Sequence, residues 1–193
     1  MIRAVLGGTF DPVHAGHVAM ARHLLAHGLA DQVVVVPNWR SPWREEPVVA
    51  PSERLAMCRL AFADVAGVVV DEREIAGGRP AWTVDTLAAL AAEHPGDRLR
   101  LVVGADHLAT FDRWRDAGRI LELAELVVLA RTGATAGAPP AWLDGRLVPA
   151  PAFDHPVSAS AVRAMLASGF AAAEALPADV AAYIAARGLY RAG

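Results

Sequence analysis

The sequence predicts an α/β protein: a doubly wound parallel sheet with helices on both faces and a small helical lobe near the C-terminal end. Three observations carry this expectation. Short apolar, mostly β-branched runs recur along the 193 residues. Helical patterns lie between them, and the runs are near-continuously apolar, as strands covered on both faces must be. In order, the sequence gives a strand over Ile2–Leu6, a helix over about 16–28, and a strand over Val33–Val36. A helix over about 52–64 follows, with Ser52 as its N-cap; Leu55, Cys58 and Phe62 share one stripe of it, which makes Cys58 a small core residue. Next come a strand over Val68–Val70 and a helix over 83–93 capped by Thr83, with Glu72, Arg73 and Glu74 between them read as a solvated loop. Strand Leu99–Val103, helix 116–124, strand Leu126–Leu129 and a weaker strand at Leu147-Val148 complete the alternation, and helices near 158–168 and 178–187 form the lobe. The stretches Ser41–Pro51 and Gly133–Pro140 are rich in Pro, Gly or Ala and read as loops, not linkers. The chain is therefore expected to be a single Rossmann-like domain over 1–193, with the C-terminal helical part at about 155–193, and ligands beyond the strand C-termini.

Composition narrows the function. Hydrophobic residues are 54% of the chain, but 42 of them are alanine, and the longest uncharged stretch is the twelve residues between Arg131 and Asp144, broken by Gly and Pro. Nothing there spans a bilayer, so no membrane partner is expected. The net charge is −3 and no basic run tracks a nucleic-acid backbone, so no nucleic-acid partner is expected either. All eighteen basic residues are arginine. Lysine-dependent chemistry is excluded, and positive charge at a site must come from Arg, His, a helix start or a metal. One cysteine and an N-terminus without a signal-peptide pattern are expected of a cytoplasmic protein.

The first strand runs into Gly7-Gly8-Thr9-Phe10-Asp11-Pro12-Val13-His14-Ala15-Gly16-His17. Neither the dinucleotide fingerprint nor a P-loop is present. The physics is still that of a phosphate site: two glycines let backbone N–H groups approach an anion, a helix start adds its positive dipole end, and His14 and His17 supply donors from one face. Gly16 costs helix stability, which indicates tight packing against the backbone there. Taken singly, each histidine reads more readily as a solvated surface residue.

This segment resembles the nucleotidylyltransferase superfamily signature G-[TS]-F-D-P-x-H-x-G-H. Val157-Ser158-Ala159-Ser160-Ala161-Val162-Arg163, about 140 residues on, is similar to the superfamily's I-S-[SA]-T-x-[IV]-R. Within the superfamily the resemblance is to the bacterial nicotinate mononucleotide adenylyltransferase family and covers nearly the whole chain. It is carried by Val36-Pro37-Asn38 with Pro42-Trp43-Arg44, Ser52–Met57 with its Glu53-Arg54, Trp82–Leu87, Val103–Asp106, Phe111 to Trp114, and a tail from Leu176-Pro177 through Tyr183-Ile184 to Gly188-Leu189-Tyr190. The sequence departs from the family at Trp43, Ala81, Trp82 and Ser160. The resemblance implies adenylyl transfer from ATP to nicotinate mononucleotide, with magnesium brought mainly by the ATP phosphates and no protein metal site. It implies His14, His17 and Arg163 as catalytic. Gly7, Gly8, Thr9, Phe10, Gly104, Asp106, Ser158 and Ser160 would join them in binding ATP, and Asn38, Arg44, Thr83 and Trp114 would bind the acceptor. A homo-oligomer is left open.

Plainer readings stand beside these. On the residues alone Asp106 serves nearly as well as the N-cap of a short helix carrying Leu108, Trp114 reads first as core, Thr83 as an ordinary cap, and Arg44 as the usual solvated loop residue. His23 and His27, four apart, have metal-compatible spacing but no third ligand nearby. The functional alternatives are an amide-preferring or pantetheine phosphate adenylyltransferase, and a module that binds ATP without turnover.

Overall fold

The computed structural model describes residues 1–40, 47–129, 140–143, 145–170, 172 and 174–191. Six parallel strands form one sheet among these residues: β1 (Ile2–Gly8), β2 (Gln32–Pro37), β3 (Val68–Val70), β4 (Arg98–Gly104), β5 (Ala124–Leu129) and β6 (Leu147–Val148), in the order β3-β2-β1-β4-β5-β6. Every strand read from the sequence is present. The long helices are α1 (Ala15–Ala26), α2 (Pro51–Phe62), α4 (Thr83–Glu93), α6 (Ala117–Leu123), α7 (Ala159–Ala167) and α8 (Ala178–Arg187), with one-turn helices α3 (Arg73–Ala76) and α5 (Ala105–Leu108).

The alternation of strand side chains divides the core in two. Ala4, Leu6, Val33 and Val35 point to one face and pack with Leu24 of α1, Met57, Cys58 and Phe62 of α2, Val162 of α7, and Val180 and Ile184 of α8. Val5, Val34, Val36, Leu101 and Val103 point to the other and pack with Val84, Leu87 and Leu90 of α4, Leu108, Phe111 and Ile120. The C-terminal helices thus close the first face beside α1 and α2. Among the described residues no helix is long and apolar enough to cross a membrane.

Three local expectations are corrected. The residue capping α2 is Ala50, with Pro51 entering the first turn, so Ser52 lies inside the helix; proline's fixed φ makes it the better starter. Trp82 caps α4 in extended conformation, and Thr83 is the first helical residue. Glu72-Arg73-Glu74 is no solvated loop: Arg73 pairs with Asp71 at 2.6 Å and with Glu93 of α4 at 2.7 Å, which folds the segment into α3.

Strand order reverses between β1 and β4, where a doubly wound sheet opens its binding crevice. Their pairing ends at Val5–Leu101, three residues short of Gly8 and of Gly104. The two strands part there, and the crevice is lined by Gly7, Gly8 and Gly104.

Candidate active site

The turn from β1 to α1 is shaped by close packing. A Cβ at Gly7 would meet nothing within 4 Å, which leaves the strand end open, whereas one at Gly8 would press on the Phe10 ring at 3.1 Å. Phe10 takes a φ of +50° and is buried, and the Asp11–Pro12 peptide is cis. His14, in extended conformation, is the N-cap of α1. Its backbone N–H donates to His17 Nδ1 at 3.2 Å, the two rings stack with centroids 3.7 Å apart, and the Phe10 ring meets His17 edge-on at 4.8 Å. Because Nδ1 accepts, neutral His17 carries its proton on Nε2, which is then a donor. The tight packing expected at Gly16 is present: a Cβ there would lie 3.0 Å from the His14 ring and 3.0 Å from His155 Nδ1. One expected anion donor is not available, since Ala15 N–H donates to the Ala175 carbonyl at 2.9 Å.

The second motif meets the first at the turn from β1 to α1. Ser158 caps α7, its Oγ accepting from Ala161 N–H at 3.3 Å and lying 3.2 Å from Ser160 Oγ. Arg163, one turn on, donates through Nη1 to the Asp11 carbonyl at 2.7 Å. His155, on the approach to α7, accepts from Val157 N–H at 3.4 Å while its ring flanks Gly16 of α1. Two helix starts far apart in the chain are therefore joined at Asp11 and Gly16.

Of the expected acceptor residues, Asn38 sits against the turn from β1 to α1. Its N–H donates to the Gly8 carbonyl at 2.9 Å and its Nδ2 to Thr9 Oγ1 at 3.4 Å, while its buried Oδ1 finds no hydrogen-bond partner among the described residues. Thr83 and Trp114 lie in the other layer. Thr83 opens α4, where the N–H groups of Thr83 and Val84 precede the first helical bonds, which the Asp85 and Thr86 N–H groups make to the Trp82 carbonyl at 2.9 and 3.2 Å. Trp114 packs on the second apolar cluster beside Phe111, centroids 5.2 Å apart, and stays half-exposed. The Arg115 guanidinium lies 5.3 Å from the centre of the Trp82 ring. Arg44 falls outside the described residues. At the end of β4, Gly104 is the N-cap of α5, so Asp106 does not cap it; Asp106 is exposed in the first turn, 3.8 Å from His107 Nε2. A Cβ at Gly104 would collide with Asp106 Oδ1, so this glycine lets the carboxylate fold back over the strand end.

Asp11, Arg54 and Tyr190 lie in motifs quoted from the sequence, which assigned none of them a role. Asp11 is buried, its Oδ1 accepting from the Tyr190 hydroxyl at 2.6 Å and its Oδ2 from Val48 N–H at 2.7 Å. Arg54 is fully buried and donates to the Thr9 carbonyl and to the Trp39 carbonyl, each at 2.6 Å. Burial pulls the Arg54 pKa down and the Asp11 charge opposes that pull; burial, with the hydrogen bond to Asp11, drives the Tyr190 phenol far above its ordinary value. The available signal was Arg54 itself, a charge four residues before Cys58 on a buried stripe. Glu74 accepts from Thr86 Oγ1 at 2.6 Å, and burial raises its carboxyl pKa. The His23 and His27 ring centroids lie 4.2 Å apart with the planes tilted by 38°, and His23 Nε2 is 3.3 Å from the Pro151 carbonyl. Among the described residues no group of three or more His, Cys, Asp and Glu side chains is placed to hold a metal ion.

The sheet order and the crevice where β1 and β4 part set the protein among the doubly wound α/β proteins. The chain belongs to the cytidylyltransferase-like family, which it matches over residues 5–165. Over 97% of its length it is 41% identical to a Bordetella avium protein named "Probable nicotinate-nucleotide adenylyltransferase", covering 96% of that protein. It is 38% identical, again over 97% of its length, to a Pseudomonas entomophila protein of the same name, covering 94% of it. Among solved structures it is similar in fold to Plasmodium falciparum nicotinic acid mononucleotide adenylyltransferase complexed with NaAD, with a TM-score of 0.76 at 14% identity, covering 98% of this chain and 97% of that one. The same enzyme complexed with APC gives 0.75 at 15% identity, covering 98% and 96%.

Proposed function

We propose that the protein transfers the adenylyl group of MgATP to nicotinate mononucleotide, giving deamido-NAD and pyrophosphate, as a step of NAD biosynthesis in the cytoplasm. The observation that carries this reading is the meeting of the two helix starts at Asp11 and Gly16, which gathers His14, His17, Ser158, Ser160 and Arg163 beyond the end of β1. The full-length likeness to proteins named nicotinate-nucleotide adenylyltransferase supports it.

The reaction needs no covalent enzyme intermediate. A phosphate oxygen of the acceptor attacks the α-phosphorus of ATP, the bond from that phosphorus to the bridging oxygen breaks, and pyrophosphate departs with the electron pair. The protein positions the reactants and stabilises charge on phosphoryl oxygens. In this reading His17 Nε2–H and His14 meet the phosphates, with His17 at the α-phosphate. Ser158, Ser160 and Arg163 hold the leaving pyrophosphate end, and Gly7, Gly8, Thr9 and Phe10 form the floor. Gly104 and Asp106 lie on the adenosine side, where Asp106 accepts from ribose hydroxyls. Magnesium enters with the nucleotide, held by its phosphates. Asn38 and Arg44 are assigned to the acceptor phosphate, Trp114 to the pyridinium ring, and the first-turn N–H groups at Thr83 to the carboxylate. We read the chain as one catalytic domain over 1–193.

A carboxylate needs only donors, whereas an amide in the same place turns its NH₂ toward donors and leaves a buried group unpaired. That mismatch costs about 1–3 kcal/mol, or roughly tenfold to a hundredfold in kcat/KM. The test is pyrophosphate release from MgATP with nicotinate mononucleotide, nicotinamide mononucleotide and pantetheine phosphate as acceptors. Equal rates for the two mononucleotides, or a preference for the amide, would sink the acceptor assignment; nucleotide binding without turnover on any acceptor would sink the transfer itself.

A further inference from the structure

Two segments singled out in the sequence have no part in the transfer as derived above: the arginine of Ser52–Met57 and the tail Gly188-Leu189-Tyr190. Both end at the phosphate turn. The Arg54 guanidinium, fully buried, bridges the carbonyls of Thr9, on the nucleotide side, and Trp39, on the acceptor side. The Tyr190 hydroxyl holds one oxygen of the Asp11 carboxylate, the Val48 amide holds the other, and the Asp11 carbonyl takes Arg163. Residues 9–11 are thereby tied to α2, α7, the C-terminal tail and the segment after β2.

We propose that Arg54 and Tyr190 are positioning residues, which fix the 9–11 backbone against the acceptor-side segment and so set the places of His14, His17 and Arg163. The proposal rests on the adenylyl-transfer reading. A buried charge is costly, and a well-packed apolar side chain at position 54 would stabilise the fold at least as well. Arg54 also keeps a buried Nε without a hydrogen-bond partner among the described residues, so its arrangement is not optimised for stability. What the planar fork does, and an apolar chain cannot, is hold two carbonyls of different loops at a set separation. Lysine carries three donors on a single freely rotating ammonium, so it can meet carbonyls but does not fix their separation. Asp11 acts in the same way from the other side: its two oxygens join segments far apart in the chain, and its backbone leads in three residues to His14. Transfer by positioning alone is sensitive to displacements of about 1 Å, each costing up to about a hundredfold in rate. Loosening this turn should therefore show in turnover before it shows in binding.

The experiment is steady-state kinetics of wild type, Tyr190→Phe, Arg54→Lys and Arg54→Met with MgATP and nicotinate mononucleotide, assayed well below the Tm of each. Tyr190→Phe keeps the ring and removes one donor; its kcat should fall about tenfold or more, with both KM values within about threefold of wild type. Arg54→Lys should fall between wild type and Arg54→Met in kcat. A merely structural role would lower Tm and leave kcat alone, so a folded Tyr190→Phe with wild-type kcat overturns the proposal. Equal kcat in Arg54→Lys and wild type overturns it also. Should Arg54→Met fail to fold, the other two variants decide. Wild-type turnover with an unaffected Tyr190→Phe counts against positioning alone, while a wild type without turnover counts against the transfer reading and this proposal together.

Discussion

His17 is poised by its neighbours before any substrate arrives. The His14 amide fixes its tautomer and the Phe10 and His14 rings fix its plane, so its donor can meet charge as that charge develops. Removing one such donor costs roughly 10²–10³ in rate. His17→Ala is accordingly expected to lose that factor in kcat at saturating MgATP, and a variant with near wild-type kcat would remove His17 from the phosphate site. Arg163 is pre-set differently, through its bond to the Asp11 carbonyl. A planar fork can keep that bond while other N–H groups turn to phosphate oxygens, and lysine has no second fixed donor direction. Arg163→Lys should raise KM for ATP although the charge is kept; unchanged kcat and KM would make Arg163 a structural residue only.

At the scale of elements, the site depends on helices held by polar clamps as well as by apolar packing. Glu53 of α2 accepts from the Tyr183 hydroxyl at 2.9 Å and from Arg187, both on α8, and so docks the last helix. The Arg187 hydrogen bond holds the Glu53 carboxyl below its ordinary value. The folded protein therefore releases this proton more readily than the unfolded chain does. The resulting stabilisation is complete above the unfolded carboxyl value of about 4.3 and is lost as pH falls through the lower folded value. Glu53→Gln should have a lower Tm than wild type at neutral pH, with the gap closing on acidification. A gap independent of pH would assign the effect to packing instead. On the other face, Glu74 of α3 receives Thr86 of α4. That clamp sets where α4 begins, and with it Thr83.

For the molecule as a whole, strands and crevice were legible because parallel strands buried on both faces must be apolar throughout, and a glycine pair at a strand end has few other uses. The sheet order, and with it the place where β1 and β4 part, does not follow from that alternation, because doubly wound sheets of different strand order share it. The caps were less legible. Ser52 and Thr83 have good capping side chains, but the helices begin where Pro51 and the docking of Trp82 and Thr86 put them. Arg54, Asp11 and Tyr190 belong to contacts spanning 15 to 179 residues, and no local pattern carries such information. Cys58 was legible as core, and its burial also gives the protein a chemical clock. It is the chain's one thiol, fully buried one turn from Arg54, and burial pushes it well above the ordinary thiol range. An alkylating reagent can reach it only when α2 lifts from the sheet, so labelling in native buffer counts openings of the element that Arg54 anchors. Loading the crevice with MgATP should slow that labelling, and Arg54→Lys should hasten it. A native Cys58 alkylated as fast as a free thiol would contradict the packing of α2 itself.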